Sequence, residues 1–166
     1  MGAVDSRLRD LVRETTYLER PEPKLRDEDV DAFLETVRKT DRLDWLMFRL
    51  IIECGLSPDE VVGNTRNGAD LKGIFIADLT DTGIFLRRGH QRNKVEVHAS
   101  AELLKRLQDL AGERSGKLFV TGWNDASRLG QEAKQYAQLA QIPGYENIRI
   151  QTLRNYYSRN SLTIPP

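Results

Sequence analysis

The sequence predicts a single helix-rich α+β domain, and two observations lead to this fold class. Apolar residues recur at helical spacing through most of the chain, whereas between residues 73 and 98 they alternate with a period of two. A chain of 166 residues is the size of one domain, since domains usually contain roughly 100–200 residues. Strands do not alternate with helices, so a parallel sheet with a nucleotide-binding crevice is not expected.

The first segment, residues 1–24, is predicted to be a short helix followed by a linker. The helix covers Val4–Glu19 and places its leucines on one side. Pro21 and Pro23 end the helix and favour an extended chain. We therefore separate this segment from a second unit, residues 25–166, which we expect to form the folded domain.

The next two helices are expected to build the core. One begins at Asp27, and its acidic first turn suits the positive end of the helix dipole. Asp41 is the predicted N-cap of the following helix, Arg42–Cys54, which is apolar almost all round and should be buried. Gly55 is expected to end that helix, as glycine commonly does.

A capping box gives the most specific local signal in the chain. Ser57 stands at the N-cap, Pro58 at the first helical position and Glu60 at the third. These residues predict a short helix through Val62. The polar, glycine-containing stretch 64–72 that follows is predicted to be an exposed loop.

The block of period two predicts a three-stranded antiparallel sheet. Its strands are residues 73–79, 83–88 and 94–98, and polar turns join them. Helical spacing then returns over residues 101–110 and from about Asp125 onward, with a last helix near residues 151–160.

Composition excludes several functional classes. The 25 basic and 25 acidic residues cancel, which argues against a strongly basic nucleic-acid coat protein. No apolar run approaches the ~20 residues of a membrane span, and the N-terminus lacks a signal core, so we expect a cytoplasmic protein without a membrane partner. Cys54, His90 and His98 do not form a metal-ligand pattern, and nucleotide-binding glycine motifs are absent. Neither a metal nor a cofactor is therefore expected.

Three stretches of sequence, taken in order, are similar to those of one known family. They are LMFRLIIECGLSPDEVV, ADLTDTGIFLRRGHQRNKVEVHASAELLKRL and IPGYENIRIQTLRNYYSR. Their order and spacing resemble the core helix, the β-hairpin and the last histidine–arginine helix in the catalytic domain of tyrosine recombinases, the phage-integrase family. The resemblance covers about residues 25–160 and implies that fold.

The resemblance also implies a catalytic set, most of which is missing. Family members clamp the scissile phosphate with two arginines, assisted by a hairpin lysine and a histidine, and attack it with a tyrosine. Ser57 stands in the place of the first arginine and Gln151 in that of the histidine, whereas Arg154 matches the second arginine. Tyr156 and Tyr157 lie too close to Arg154 to match the nucleophile, so its segment is expected to be missing. We therefore predict no catalytic residue, since the transition state needs those charges.

Basic side chains nevertheless indicate a nucleic-acid partner. Besides Arg154, the predicted hairpin contains five basic residues: Arg87, Arg88, His90, Arg92 and Lys94. The position of the family's hairpin lysine falls near His90, and Lys94 is the nearest lysine. The resemblance implies that these six residues contact phosphates of duplex DNA. The competing interpretations are a solvated hairpin tip and an ordinary exposed helix arginine.

The function predicted from the sequence is a catalytically inactive, tyrosine-recombinase-like protein that binds duplex DNA. Two alternatives stay open. The chain could be a fragment of an active recombinase that breaks and rejoins DNA strands. The same fold could also serve as a protein-interaction or self-association module.

Overall fold

The computed structural model describes residues 23–63, 73–88, 93–120 and 125–161. The predicted helix at residues 4–19, the loop 64–72 and the hairpin turn with His90 and Arg92 lie outside these ranges. The elements are α1 (Asp27–Thr40), α2 (Arg42–Cys54), α3 (Pro58–Val62), β1 (Gly83–Arg88), β2 (Asn93–His98), α4 (Ala101–Ala111), α5 (Asp125–Leu139) and α6 (Ile150–Ser161). The predicted helix-rich α+β fold class is confirmed.

Helix α2 is the central element of the core, as its apolar sequence predicts. The side chain of Asp41 accepts hydrogen bonds from the backbone N–H groups of Leu43 (2.8 Å) and Asp44 (3.0 Å), which starts the helix. Gly55 ends it in the left-handed conformation with φ 74°. Between these caps most side chains are buried, and the helix packs against α1 on one side and α6 on another.

Three aromatic rings join α1, α2 and α5. Phe33 and Phe48 meet edge to face with centroids 5.2 Å apart, and Tyr136 meets Phe48 in the same way at 5.8 Å. Offset and edge-to-face contacts of this kind are the preferred arrangement for buried rings. The hydroxyl of Tyr136 donates a 2.8 Å hydrogen bond to the buried carboxylate of Asp44, so the polar end of the ring is also satisfied.

The described residues contain a two-stranded sheet, where the sequence predicted three strands. Residues 73–79 instead make one bridge at Phe75 to Lys117, turn through a short 3-10 helix (Ile76–Asp78), and make a second bridge at Leu79 to Ile84. The reason is local, because the N–H groups of Asp78 and Leu79 bond back to Phe75 and Ile76 within the turn. Those groups are then not available for a continuous ladder.

Strands β1 and β2 form an antiparallel hairpin in which Gly83 pairs with His98 and Arg88 with Asn93. Ile84 and Leu86 on β1 face the core and are buried. Alternation along the strand then places Arg88 on this inner face and Arg87 on the opposite one.

Helix α6 packs on α2 and brings the C-terminal part of the described chain to the end of that helix. The hydroxyl of Thr152 accepts a 3.0 Å hydrogen bond from the N–H of Arg149, which satisfies a free donor at the helix start. In the described parts of the chain, no helix has both the length and the apolar character to cross a bilayer.

Candidate nucleic-acid interface

Four elements converge where α2 ends. They are the C-terminus of α2 at Gly55, the N-terminus of α3 with Glu60, the end of β1 with Arg88, and α6 with Arg154. We call the three charged residues, Glu60, Arg88 and Arg154, the Glu60 cluster.

Glu60 is the centre of this cluster and has two roles. As the third residue of the capping box, its Oε1 accepts a 2.9 Å hydrogen bond from the N–H of Ser57. The guanidinium of Arg88 donates to the same carboxylate twice, from Nε to Oε2 at 2.7 Å and from Nη2 to Oε1 at 3.1 Å. This bidentate geometry is the strongest form of arginine–carboxylate pair.

The charges around Glu60 determine its ionisation. Burial raises the pKa of Glu60, but hydrogen bonds from Arg88 and Ser57 and the positive charges of Arg88 and Arg154 outweigh that effect. The net pKa is therefore below the usual range, and Glu60 is a carboxylate at neutral pH.

Arg154 lies beside this carboxylate without forming an ion pair with it. Its Nη2 donates to the carbonyl oxygen of Gly55 at 3.5 Å, the outer limit of a hydrogen bond. Its Nε is buried and has no hydrogen-bond partner among the described residues. An arginine donor that is buried and unsatisfied costs free energy, so an acceptor that reached Nε after a local rearrangement of the site would be favoured.

The aromatic ring of Tyr157 closes the site on the α2 side. A Cβ atom at Gly55 would lie 2.4 Å from two carbons of that ring, so only glycine permits this approach. The contact holds α6, and with it Arg154, against the end of α2.

The outer face of the hairpin presents a second group of cations. Arg87 and Lys94 stand directly opposite each other in the β1–β2 register and therefore project on the same face. Lys94 lies 5.2 Å from the centroid of the Phe85 ring and 3.8 Å from a carboxylate oxygen of Asp78. Arg87 is exposed and has no ion pair within the described ranges.

Like charges placed opposite each other destabilise a hairpin, so the pair of Arg87 and Lys94 is not explained by stability. Glu96 stands on the same face, two residues from Lys94, but its carboxylate accepts hydrogen bonds from the hydroxyls of Thr80 and Thr82. The carboxylates of Glu96 and Asp78 balance the two cations in formal charge, and Arg87 is the exposed cation that has no ion pair among the described residues.

The structure thus divides the six basic residues predicted from the sequence. Arg87 and Lys94 lie on the outer face of the hairpin, whereas Arg88 faces inward and joins Arg154 at Glu60. His90 and Arg92 lie outside the described residues. Sequence reasoning missed Glu60 as a site residue, because its capping box already explained it.

At two positions where the sequence departs from the recombinase pattern, Ser57 and Gln151, the side chains form local hydrogen bonds. The hydroxyl of Ser57 accepts from the N–H of Glu60 at 3.2 Å, and the amide of Gln151 donates to Asn155 at 2.9 Å on the surface. Burial raises the pKa of the Cys54 thiol to about 12, which disfavours the nucleophilic thiolate at neutral pH. In the described ranges, no three His, Cys, Asp or Glu residues form a metal-binding group.

Comparison with known proteins identifies the fold. No protein-family model matches the sequence, and no curated protein matches it either. The structure is similar to the crystal structure of XerA recombinase, with a TM-score of 0.65 and 16% sequence identity. The match covers 84% of this chain and 50% of that one, so the chain spans half the length of the recombinase. The protein therefore has a recombinase-like fold.

Proposed function

We propose that this protein binds the sugar–phosphate backbone of duplex DNA through Arg87, Lys94 and Arg154, and that it does not catalyse strand transfer. The observation that carries the proposal is the opposed pair of exposed cations, Arg87 and Lys94, on the outer face of the hairpin. Arg154, whose Nε has no hydrogen-bond partner among the described residues, is proposed as a further contact. His90 and Arg92 lie outside the described residues and are proposed as further contacts on the sequence resemblance alone.

The arrangement offers a phosphate an exposed guanidinium, because Arg87 has no carboxylate partner among the described residues. Arg88 joins the end of β1 to α3, beside Arg154, whereas Arg87 and Lys94 project from the other face of the same hairpin. The proposed surface therefore includes both faces of this end of the hairpin. Arginine presents planar, bidentate donors that match a phosphate group, and lysine adds a mobile charge. Backbone contacts of this kind position a duplex without reading its sequence.

The proposed absence of strand transfer rests on the residues that stand where the recombinase pattern has its catalytic groups. Ser57 supplies no positive charge, and Gln151 cannot shuttle a proton near neutral pH. Tyr156 donates a 2.7 Å hydrogen bond to Asp27. Burial is the larger cause and this hydrogen bond the second cause of the raised pKa of the Tyr156 hydroxyl. A tyrosine in this position is a poor nucleophile.

The test is fluorescence anisotropy of a labelled duplex across a salt series. Each phosphate contact contributes roughly 0.9 to the slope of log affinity against log salt, so the double variant Arg87→Ala/Lys94→Ala should lose about 1.8 of that slope. The matched control is Lys105→Ala/Lys134→Ala, which removes two exposed charges from helices α4 and α5.

Equal affinity for two duplexes of unrelated sequence is expected, because the proposed contacts read no bases. The DNA proposal fails if the folded protein does not bind at about 50 mM salt, or if the hairpin and control variants lose the same slope. A covalent protein–DNA adduct on a denaturing gel would refute the claim of inactivity.

A further inference from the structure

Two arginines approach Glu60, but only one of them pairs with it. Arg88 occupies both oxygens of the carboxylate, and the N–H of Ser57 takes a further acceptor position on Oε1. A carboxylate has about four such positions, so three are filled. Arg154 is close enough for its charge to lower the pKa of Glu60, yet it forms no ion pair with any described carboxylate.

We infer that Arg88 is a positioning residue, which holds Glu60 and thereby keeps the guanidinium of Arg154 open to a DNA phosphate. This inference rests on the proposed function and deepens it. Arg88 would then act on DNA binding through Glu60, without touching the duplex.

The inference depends on which groups are fixed. The carboxylate of Glu60 is held in place by its capping bond to Ser57, so it stays beside Arg154 whether or not Arg88 is present. Arg88 is fixed by the strand, because its β1 neighbours Ile84 and Leu86 are buried in the core. Once Arg88 is removed, Arg154 is the remaining cation, among the described residues, whose charge acts on Glu60.

An ion pair between Arg154 and Glu60 would make the guanidinium of Arg154 unavailable to DNA. An internal carboxylate at hydrogen-bond distance satisfies the same donors that a phosphate would use, and its negative charge repels the phosphate. Arg88→Ala should therefore abolish the contribution of Arg154, although Arg154 itself is unchanged.

The experiment measures the effect of Arg154→Ala on the salt slope in three backgrounds: wild type, Arg88→Ala, and Arg88→Ala/Glu60→Gln. We expect a loss of about 0.9 in wild type, about zero in Arg88→Ala, and again about 0.9 when Glu60→Gln removes the competing charge. Each value is a difference within one background, so changes in net charge cancel. Arg88→Gln provides a second variant if Arg88→Ala does not fold.

An equal loss in all three backgrounds would overturn the inference, since Arg154 would then contact DNA independently of Arg88. No loss in wild type would instead refute the contact between Arg154 and DNA, and with it that part of the proposed function.

A second measurement needs no DNA and separates the two failures. The side-chain Nε–H of Arg154, assigned in a nitrogen–proton spectrum by its loss in Arg154→Lys, should shift downfield and exchange more slowly in Arg88→Ala, because it gains a carboxylate acceptor. An unchanged signal would overturn the inference even if wild-type protein binds DNA.

Discussion

Replacing Gly55 by alanine should destabilise the protein by two separable effects. The residue has φ 74°, a left-handed conformation that costs an L-residue roughly 1–2 kcal/mol. The new Cβ would also lie 2.4 Å from two ring carbons of Tyr157, far inside van der Waals contact.

The steric effect adds to the backbone cost. Overpacking of a core usually costs about 1–3 kcal/mol, because neighbouring side chains and backbone must shift. The expected total is therefore about 2–5 kcal/mol of unfolding free energy, a large fraction of the 5–15 kcal/mol that is typical of a domain. The tyrosine ring lies on α6, so its movement would also displace Arg154.

Urea unfolding of four proteins tests this reasoning: wild type, Gly55→Ala, Tyr157→Ala and the double variant. With the ring removed, Gly55→Ala should cost only the backbone contribution of about 1–2 kcal/mol. The same cost in both backgrounds would show that the ring is not the obstacle. A cost below about 1 kcal/mol in wild type would refute both parts of the argument.

Two further predictions concern local stability. Ser57→Ala removes the hydroxyl that caps α3 and should lower the unfolding free energy by about 1 kcal/mol in urea denaturation, whereas Ser127→Ala on the exposed side of α5 should change it little. Burial, then a hydrogen bond with Asp44, raises the pKa of Glu132 to about 6 against the opposing effect of Arg128. The folded state therefore binds this proton more tightly than the unfolded state, and stability relative to Glu132→Gln should fall as pH rises from about 4.5 to about 6. A rise over that range would contradict the assignment.

The helices could be predicted because their ends are marked by local chemistry. Asp41, Gly55, Ser57 and Ser100 each cap a helix with their own side chain or backbone, and such signals need no knowledge of distant residues. The predicted and observed bounds agree closely for α2 and for α4, which begins at Ala101.

The prediction of a strand at residues 73–79 was wrong because the same apolar pattern suits two structures, a continuous strand and a short pairing followed by a turn. Alternating apolar residues suit a strand, but here Ile74 is buried by a short pairing with residues 116–118, and the chain then turns. Gly73 has φ 71°, and a Cβ there would meet the backbone of Val62 at 2.8 Å. Close approach of two distant backbones is a tertiary property that a single sequence does not contain.

The candidate site was only partly predictable for a related reason. Basic residues in the hairpin are visible in the sequence, but the direction of each side chain depends on the register and on what lies beneath the strand. Arg87 and Arg88 are neighbours in sequence with opposite surroundings, one exposed and one joined to Glu60. Only the fold separates a candidate DNA ligand from a residue that holds another in place.

The carboxylate of Glu60 connects α3, to which it belongs, with Arg88 on β1 and lies near Arg154 on α6. With Ser57 at the N-cap, the carboxylate completes the capping box of α3 and still has free acceptor positions. Those positions take a guanidinium from β1, 28 residues further along the chain, while α6 brings Arg154 to the same place. With serine at position 57, the site therefore still contains two arginines. Glu60 neutralises Arg88 but forms no ion pair with Arg154, and this second arginine is the one that we propose contacts a phosphate.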